Sequence, residues 1–518
     1  MSAPADLVVG IDLGTSMVKA GIYTLEGVRV ASSNAPLGVN HLAPGRPEQD
    51  LDAFYRVAAR QCRRCVVESG IDPDGVQAIA FSAQMAGVGI VDRHHAPLAP
   101  FDSWLDTRCG DVVEELAPLA DDVIASAGCA PTISIGPKMA WWQRNCPEVC
   151  EAAASFVTAA GYVTAIACGR DGNSAFIDPT HLHFASVSDV ANARWNAELV
   201  ESFGLNHELL PEIVESTDIV GQLTATAAAD FGLGAGTPVA AGCGDTAASA
   251  LGAGALEPGT ALDVAGTAAV FAAGTDEFVA DIEYRTLMTM RAAVPGRWYA
   301  LAYVGGAGQV IEWVCRQILG FSVLDESAYR ALDEAAEAAE PGCAGLSMSP
   351  HFDGRVTPAA PNMRGSIIGL VHSHGRAEIA RAALESIAFE YRSYLDIVHE
   401  LQPDWRLRRV IGAGGGAQSR IWNQIKADAL GAEYIPIVGA DAGTRGAALV
   451  AIASLGHDLP AVPAAQLDAA IRPDPQASAT YDRLHHHYAR WATHLAEGYR
   501  PVDPPSPNPS PTSGESSP

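Results

Sequence analysis

Residues 7–23 read LVVGIDLGTSMVKAGIY. The apolar run 7–11 predicts a buried strand, 12–16 a tight turn and 18–23 a second strand, so the segment folds back as a hairpin. Gly14 permits a turn whose amides face an anion, Thr15 and Ser16 add hydroxyl donors, and Lys19 adds a positive charge. Asp12, at the strand end, is placed to hold a metal ion directly or through water. Asp and Gly are also ordinary turn formers, so the residues alone leave both a phosphate cradle and a plain hairpin open.

The pattern returns at 261–273, where strand 261–264, a small-residue turn with Gly266 and Thr267, and strand 270–273 follow one another. One such hairpin per half would clamp a polyphosphate between them, which predicts an internal duplication. Ahead of the second hairpin stands TPVAAGCGDTAASALGAG, residues 237–254. Its single carboxylate, Asp245, emerges among glycines and alanines, where a substrate can approach the backbone closely and lose a proton to it. The alternative is a strand-to-helix turn with Asp245 as the helix N-cap.

A chain of 518 residues, 48% hydrophobic and 18% charged, predicts a globular protein with two large lobes. Its net charge of -27 argues against nucleic acid and anionic membrane surfaces as partners, and requires a divalent cation with any phosphate substrate. No signal peptide or membrane-length apolar run is evident, and ten cysteines lie scattered without a paired framework. A reducing cytoplasm is the expected location. The CRRC at 62–65 falls within a predicted helix, 51–69, and reads as two small helical residues because no second pair completes a metal site.

Further candidates follow in order. Gln84, in the loop SAQMAG (82–87), is a candidate sugar contact. FDSWLDTR (101–108) offers the flat face of Trp104 and the charges of Asp106 and Arg108, either as hydroxyl partners or as an internal ion pair. His181, in the turn DPTH (178–181), is open to a surface or a site reading. AYVGGAGQVIEW (302–313) brings Gly308 and Gln309 to a helix amino end suited to an anion. GAGGGAQS (412–419) presents bare backbone at Gly415, Gly416 and Ala417 on which a flat base can lie. An alanine-rich helix over 443–455 suits close packing. His485, His486 and His487 read as solvated surface, and the Pro/Ser-rich end as a disordered tail.

Together these residues resemble the FGGY family of carbohydrate kinases, within the actin and sugar-kinase superfamily, over nearly all of residues 7–495. GSIIGLVHSHGRAEIARAALE (365–385) fits one family signature at every constrained position. The other is approximate around 138–145, where Lys138, Met139 and Trp141 fit but Ile135 and Trp142 depart. The resemblance implies an α/β fold of two actin-like (ribonuclease H-like) lobes around a central cleft. Residues 1–250 would form the sugar-binding lobe with the first phosphate loop, 251–497 the ATP-binding lobe, and 498–518 the tail. It implies ATP and Mg2+ as cofactors, Asp245 as general base and metal neighbour, and Asp12 as the metal-associated carboxylate. Gly14, Thr15, Ser16, Lys19, Gly266 and Thr267 would contact phosphates, with Gly308, Gln309, Gly415, Gly416 and Ala417 serving the rest of ATP.

Gln84-Met85-Ala86-Gly87 is similar to the Gln-Met-His-Gly of xylulokinases, with Ala86 in place of the histidine. Thr246 stands where xylulokinases have Asn and some deoxyhexulose kinases have Thr. The implied sugar site is thus Gln84, Met85, Ala86, Trp104, Asp106, Asp245 and Thr246. The expected reaction is phosphorylation of a primary hydroxyl on a ketose such as xylulose or ribulose. A deoxyhexulose or polyol acceptor, a non-catalytic sugar-binding regulator and a chaperone-type ATPase are the competing readings. A homodimer is compatible with family habit.

Overall fold

The computed structural model describes residues 6–498 apart from 44, 267 and 440. The phosphate contact expected at Thr267 and the tail after Gly498 therefore lie outside the described residues. The first hairpin forms where its pattern predicts: β1 (Leu7–Leu13) pairs antiparallel with β2 (Met17–Thr24), and Asp12 faces Lys19 across it. β3 (Arg29–Pro36) extends this sheet beside β2. Helix α1 (Leu51–Ser69) starts on the Asp50 side chain, which accepts from the Asp52 N–H, and stops at left-handed Gly70. It leads to β4 (Val76–Ala83), parallel to β1 with Ser82 beside Asp12.

After β4 the chain leaves the sheet to build a separate packed region containing α2 (Ile135–Asn145), with Trp141 and Trp142 in its core. It returns as β5 (Ile219–Gln222), β6 (Pro238–Ala240) and the two-residue β7 (Cys243–Gly244), then enters α3 (Asp245–Gly252). The strand order is β5-β6-β4-β1-β2-β3, with β7 alongside the end of β4.

A second sheet follows from β8 (Thr260–Ala265), β9 (Ala269–Thr275), β10 (Met288–Arg291), β11 (Trp298–Val304), β12 (Arg409–Ala413) and β13 (Glu433–Pro436). Its order is β10-β11-β9-β8-β12-β13. Strands β3-β2-β1-β4-β6 and β11-β9-β8-β12-β13 share one plan: three antiparallel strands, then two parallel ones. The duplication glimpsed in the two hairpins is therefore a duplication of whole sheets, and the fold is two actin-like lobes.

Helix α4 (Arg376–Leu401) covers the outer face of the second sheet, as α1 covers that of the first. The signature 365–385 does structural work there: Arg381 Nε lies 2.8 Å from Glu385 Oε1, which also accepts from the Gly342 N–H and the Tyr481 hydroxyl. Between the sheets lie α3 and α5 (Ala442–Ser454), in a core drawing Val8 and Ala80 from one sheet and Leu262 and Ile411 from the other. A Cβ on Gly446 would sit 1.8 Å from the Ala248 carbonyl oxygen, and one on Gly252 1.9 Å from that of Ala442. Small residues let these backbones touch.

The terminal helix α6 (Pro475–Gly498) corrects one expectation. His485 is 5% exposed and shares a hydrogen bond of 3.0 Å with the Ser393 hydroxyl, while His486 and His487 face solvent. Adjacent residues on a helix point about 100° apart, so one of three can face inward. Cys62 and Cys65 are buried in α1, and all ten cysteines are free.

Candidate active site

The strand ends of the first sheet bring the two acids together. β7 pairs with the end of β4 on the side away from β1, and Asp245 at its end comes within electrostatic reach of Asp12 at the end of β1. Gly244, not Asp245, is the N-cap of α3, so the Asp245 carboxylate is not spent on capping; Thr246 Oγ1 donates to it at 3.2 Å. Burial raises the Asp245 carboxyl above its usual range, against the Thr246 backbone and hydroxyl, His181 and Lys19. Asp12 is pushed up to about 7: burial and the charges of Asp245 and Asp441 outweigh Lys19 and the Ser82 hydroxyl, which donates at 3.0 Å.

Lys19 Nζ lies 3.1 Å from Asp441 and 3.8 Å from Asp12. Burial works against its charge, but Asp441 and Asp12 outweigh it and raise the ammonium above its ordinary value. Asp441 also caps α5 through the Thr444 N–H, and a Cβ on Gly443 would stand 3.0 Å from Asp12 Oδ2. The amino end of α5 thus abuts Asp12 and presents its dipole there.

The expected sugar contacts have diverse surroundings. Gln84 is buried, and its amide is engaged: Nε2 donates to Gln49 at 2.7 Å, while Oε1 accepts from Thr15 at 3.2 Å and Ser103 at 3.4 Å. It ties the Gly14–Ser16 turn to the loop 82–87 and to Ser103. Met85 packs on Gly244, where a Cβ would meet its sulfur at 2.5 Å. Ala86 adopts φ 60°, and its carbonyl accepts from Lys138 Nζ at 3.0 Å. Trp104 is 48% exposed, and its indole N–H donates to Thr15 Oγ1 at 2.9 Å. Asp106 is buried with both oxygens on Arg108, so the internal ion pair of the two sequence alternatives is the one that forms. Arg108 also reaches Glu48 and Asp102.

Of the residues expected to serve the nucleotide, Gly14, Thr15 and Ser16 form the turn between β1 and β2, with Ser16 exposed. Gly266 occupies the matching turn between β8 and β9 and is exposed, an added Cβ meeting only the Ala268 carbonyl oxygen at 3.8 Å. Gly415, Gly416 and Ala417 follow β12; Gly415 has nothing within 4 Å of an added Cβ, whereas Gly416 backs onto Ala265 and Trp422. Gly308 and the exposed Gln309 lie in the short helix Ala307–Trp313, which follows the end of β11.

No group of three or more His, Cys, Asp or Glu side chains able to hold a metal occurs among the described residues. Two acidic groups beside a phosphate turn suit Mg2+, which takes most of its ligands from phosphate and water. Reading the sequence missed three supporting residues. Gln49 holds the Thr15 carbonyl at 2.9 Å, Asp441 pairs Lys19, and Lys138 bridges the carbonyls of Ala86 and Ser103, the latter at 2.6 Å. Only Lys138 had a signal, its place in the partial signature; the other two act across the chain without a local pattern.

Two duplicated sheets around a phosphate turn and a carboxylate pair are the architecture of a sugar-kinase-like phosphotransferase. Residues 7–252 match the FGGY family of carbohydrate kinases, N-terminal domain, and residues 262–455 its C-terminal domain. The chain belongs to the FGGY family of carbohydrate kinases and is an enzyme of that class, a phosphotransferase with an alcohol group as acceptor. It is 28% identical to the xylulose kinase of Escherichia coli (strain K12) over 483 residues, 91% of this chain and 96% of that one. It is 27% identical to the glycerol kinase of Nitratidesulfovibrio vulgaris over 438 residues, 82% of this chain and 85% of that one. The crystal structure of xylulose kinase from Rhodospirillum rubrum superposes with a TM-score of 0.87 at 26% identity, covering 95% of this chain and 99% of that one. No helix among the described residues is long and apolar enough to cross a membrane.

Proposed function

We propose that the protein transfers the γ-phosphoryl group of ATP to a primary hydroxyl of a ketose, a pentulose such as xylulose, with Asp245 as general base. The observation that carries this reading is the meeting of Asp12, Asp245 and Lys19 at the strand ends of the first sheet, beside the Gly14–Thr15 turn. Asp245 accepts the proton of the attacking hydroxyl; its raised affinity for protons, caused by burial, suits that role. Thr15 and the backbone around Gly14 orient phosphate oxygens, and Lys19 offsets their charge. Asp12 and Asp245 would hold Mg2+, which supplies charge neutralisation at the phosphates when bound. The backbone at Gly415–Ala417 receives the adenosine, and Gly266 faces the phosphates from the second lobe.

Residues 1–250 and 251–497 are proposed as the two working lobes. Ala86 and Thr246 favour a second acceptor class, a deoxyketose or polyol, because Ala86 offers no side-chain hydrogen bond where xylulokinases place an imidazole. Both readings are tested by measuring ADP release from Mg-ATP against pentuloses, hexuloses, deoxyketoses and polyols. A sugar-dependent signal is expected, and Asp245→Ala should lower turnover by about 10²–10⁴-fold while sugar binding by calorimetry persists. A variant retaining more than about a tenth of the rate would remove Asp245 from the general-base role.

A further inference from the structure

His181, in the turn Pro179–His181, is fully buried, and so is its partner Asp178. Its Nδ1 lies 2.7 Å from Asp178 Oδ2. Asp178 Oδ1 is taken by the Thr180 N–H at 3.0 Å, by the Thr180 hydroxyl and by Ser216 at 3.3 Å. With Asp178 Oδ2 accepting from Nδ1–H, the remaining ring position is Nε2. That nitrogen is buried without a partner. Buried polar atoms in native proteins are nearly always paired with protein, water or a bound group, so this nitrogen calls for a partner.

The turn is fastened to the strand that delivers Asp245, because Thr180 Oγ1 accepts the Gly244 N–H at 2.8 Å. His181 is near enough to act on the charge of Asp245. The neighbouring His183 also has both ring nitrogens without a partner, but it has no carboxylate to orient it: it lies against the Phe184 ring with centroids 4.0 Å apart, and burial pushes its imidazolium down to about 3.

We propose that His181 is a specificity-determining residue of the acceptor site, its Nε2 hydrogen-bonding a second hydroxyl of the sugar next to the one facing Asp245. The inference rests on the kinase reading above. It narrows the substrate class to acceptors with a neighbouring hydroxyl within reach, and gives the ring nitrogen the partner the protein does not supply. Asp178 fixes the ring orientation, and the Thr180–Gly244 bond fixes the distance to the base.

The test uses two substitutions that each keep half of the imidazole. His181→Asn retains a donor toward Asp178 and loses Nε2; His181→Gln reaches the Nε2 position. For the acceptor found in the panel, His181→Asn should lower kcat/KM by about 10–100-fold. The KM for ATP should hold within about twofold and the melting temperature within about 2 °C, with part of the loss regained in His181→Gln. One monodeoxy analogue of the acceptor should be discriminated against by the unmodified protein and no longer by His181→Asn.

An unchanged sugar kcat/KM in His181→Asn would overturn the proposal and assign Nε2 to a water molecule. Equal losses toward sugar and ATP, or across all deoxy analogues, would overturn it in favour of a structural role. Should His181→Asn fail to fold, the deoxy-analogue series is run on the unmodified protein and on His181→Gln: discrimination against one analogue that is weakened but kept in His181→Gln is expected, and equal losses across the series overturn the proposal. Absence of sugar-dependent ADP release from the unmodified protein would defeat the kinase reading itself; activity with an indifferent His181 would defeat this inference alone.

Discussion

Asp12 sits where burial favours the protonated carboxyl, and this gives a test that does not require knowing the sugar. Its carboxyl moves from 3.8 to about 7 on folding of the ligand-free chain. Between those values the folded form holds a proton that the unfolded chain has released, so this group's contribution to stability is complete below pH 4 and is lost as pH rises toward 7. Asp12→Asn should flatten the pH dependence of ligand-free stability in that window, as read from urea midpoints. An unaltered slope would mean that Asp12 is not protonated there. If Asp12 and Asp245 act as proposed, turnover should run the other way, since the proposed roles need their carboxylate forms: kcat/KM should fall as pH drops below about 7. At the same scale, Lys138 donates to the carbonyls of Ala86 and Ser103, and burial lowers its ammonium to about 8. Lys138→Met leaves two inward carbonyls unpaired, so a loss of about 2–4 kcal/mol and a raised KM for sugar are expected, measured by denaturation and initial rates.

Among the elements, the pair α3 and α5 controls the site most directly. α3 begins with Asp245, and α5 begins against Asp12 and Lys19, so any change in their separation moves the carboxylates relative to each other. The contact is backbone on backbone at Gly446 and Gly252, with Gly10 of β1 under Thr444, where a Cβ would meet a carbonyl oxygen at 2.1 Å. Gly446→Ala is compatible with helix formation, so its cost is steric: about 1–3 kcal/mol of stability, with a fall in kcat larger than the change in the KM for ATP. Near-normal melting and turnover would show that the two helices can part without consequence. The signature helix α4 lies over the far face of the second sheet; its Arg381–Glu385–Tyr481 cluster supports the lobe and touches none of the candidate site residues.

For the whole molecule, the proposed acceptor residues belong to the first lobe and the proposed adenosine residues to the second, with α3 and α5 packed between. Ligands that meet across such a division bind cooperatively when each favours the same closed arrangement. Mg-ATP and acceptor together, with a nonhydrolysable nucleotide, should raise the melting temperature by more than the sum of their separate shifts. Strictly additive shifts would place the two ligands at independent sites. With a net charge of -27, the proposed nucleotide binding should depend on a divalent cation, and EDTA should abolish the nucleotide-induced shift.

The two hairpins, the strand before Asp245 and the close-packed helix 443–455 were legible in the amino-acid sequence because each depends on neighbours in the chain: apolar runs, turn glycines and residue size. The same local chemistry marked Asp12, Thr15, Lys19 and Asp245 as candidates. Partnerships across the chain were not legible. Gln84 is held by Gln49 and Thr15, Asp106 is taken up by Arg108, His485 turns inward from α6, and His181 lies near Asp245 on a turn tied to Gly244. Sequence alone determined which residues can carry a charge, a proton or a tight turn, since those are properties of a side chain and its immediate neighbours. Which of them are spent on the fold and which are left free was decided only by tertiary structure, because a hydrogen bond is consumed by whatever group packing brings within 3 Å, however distant in the chain.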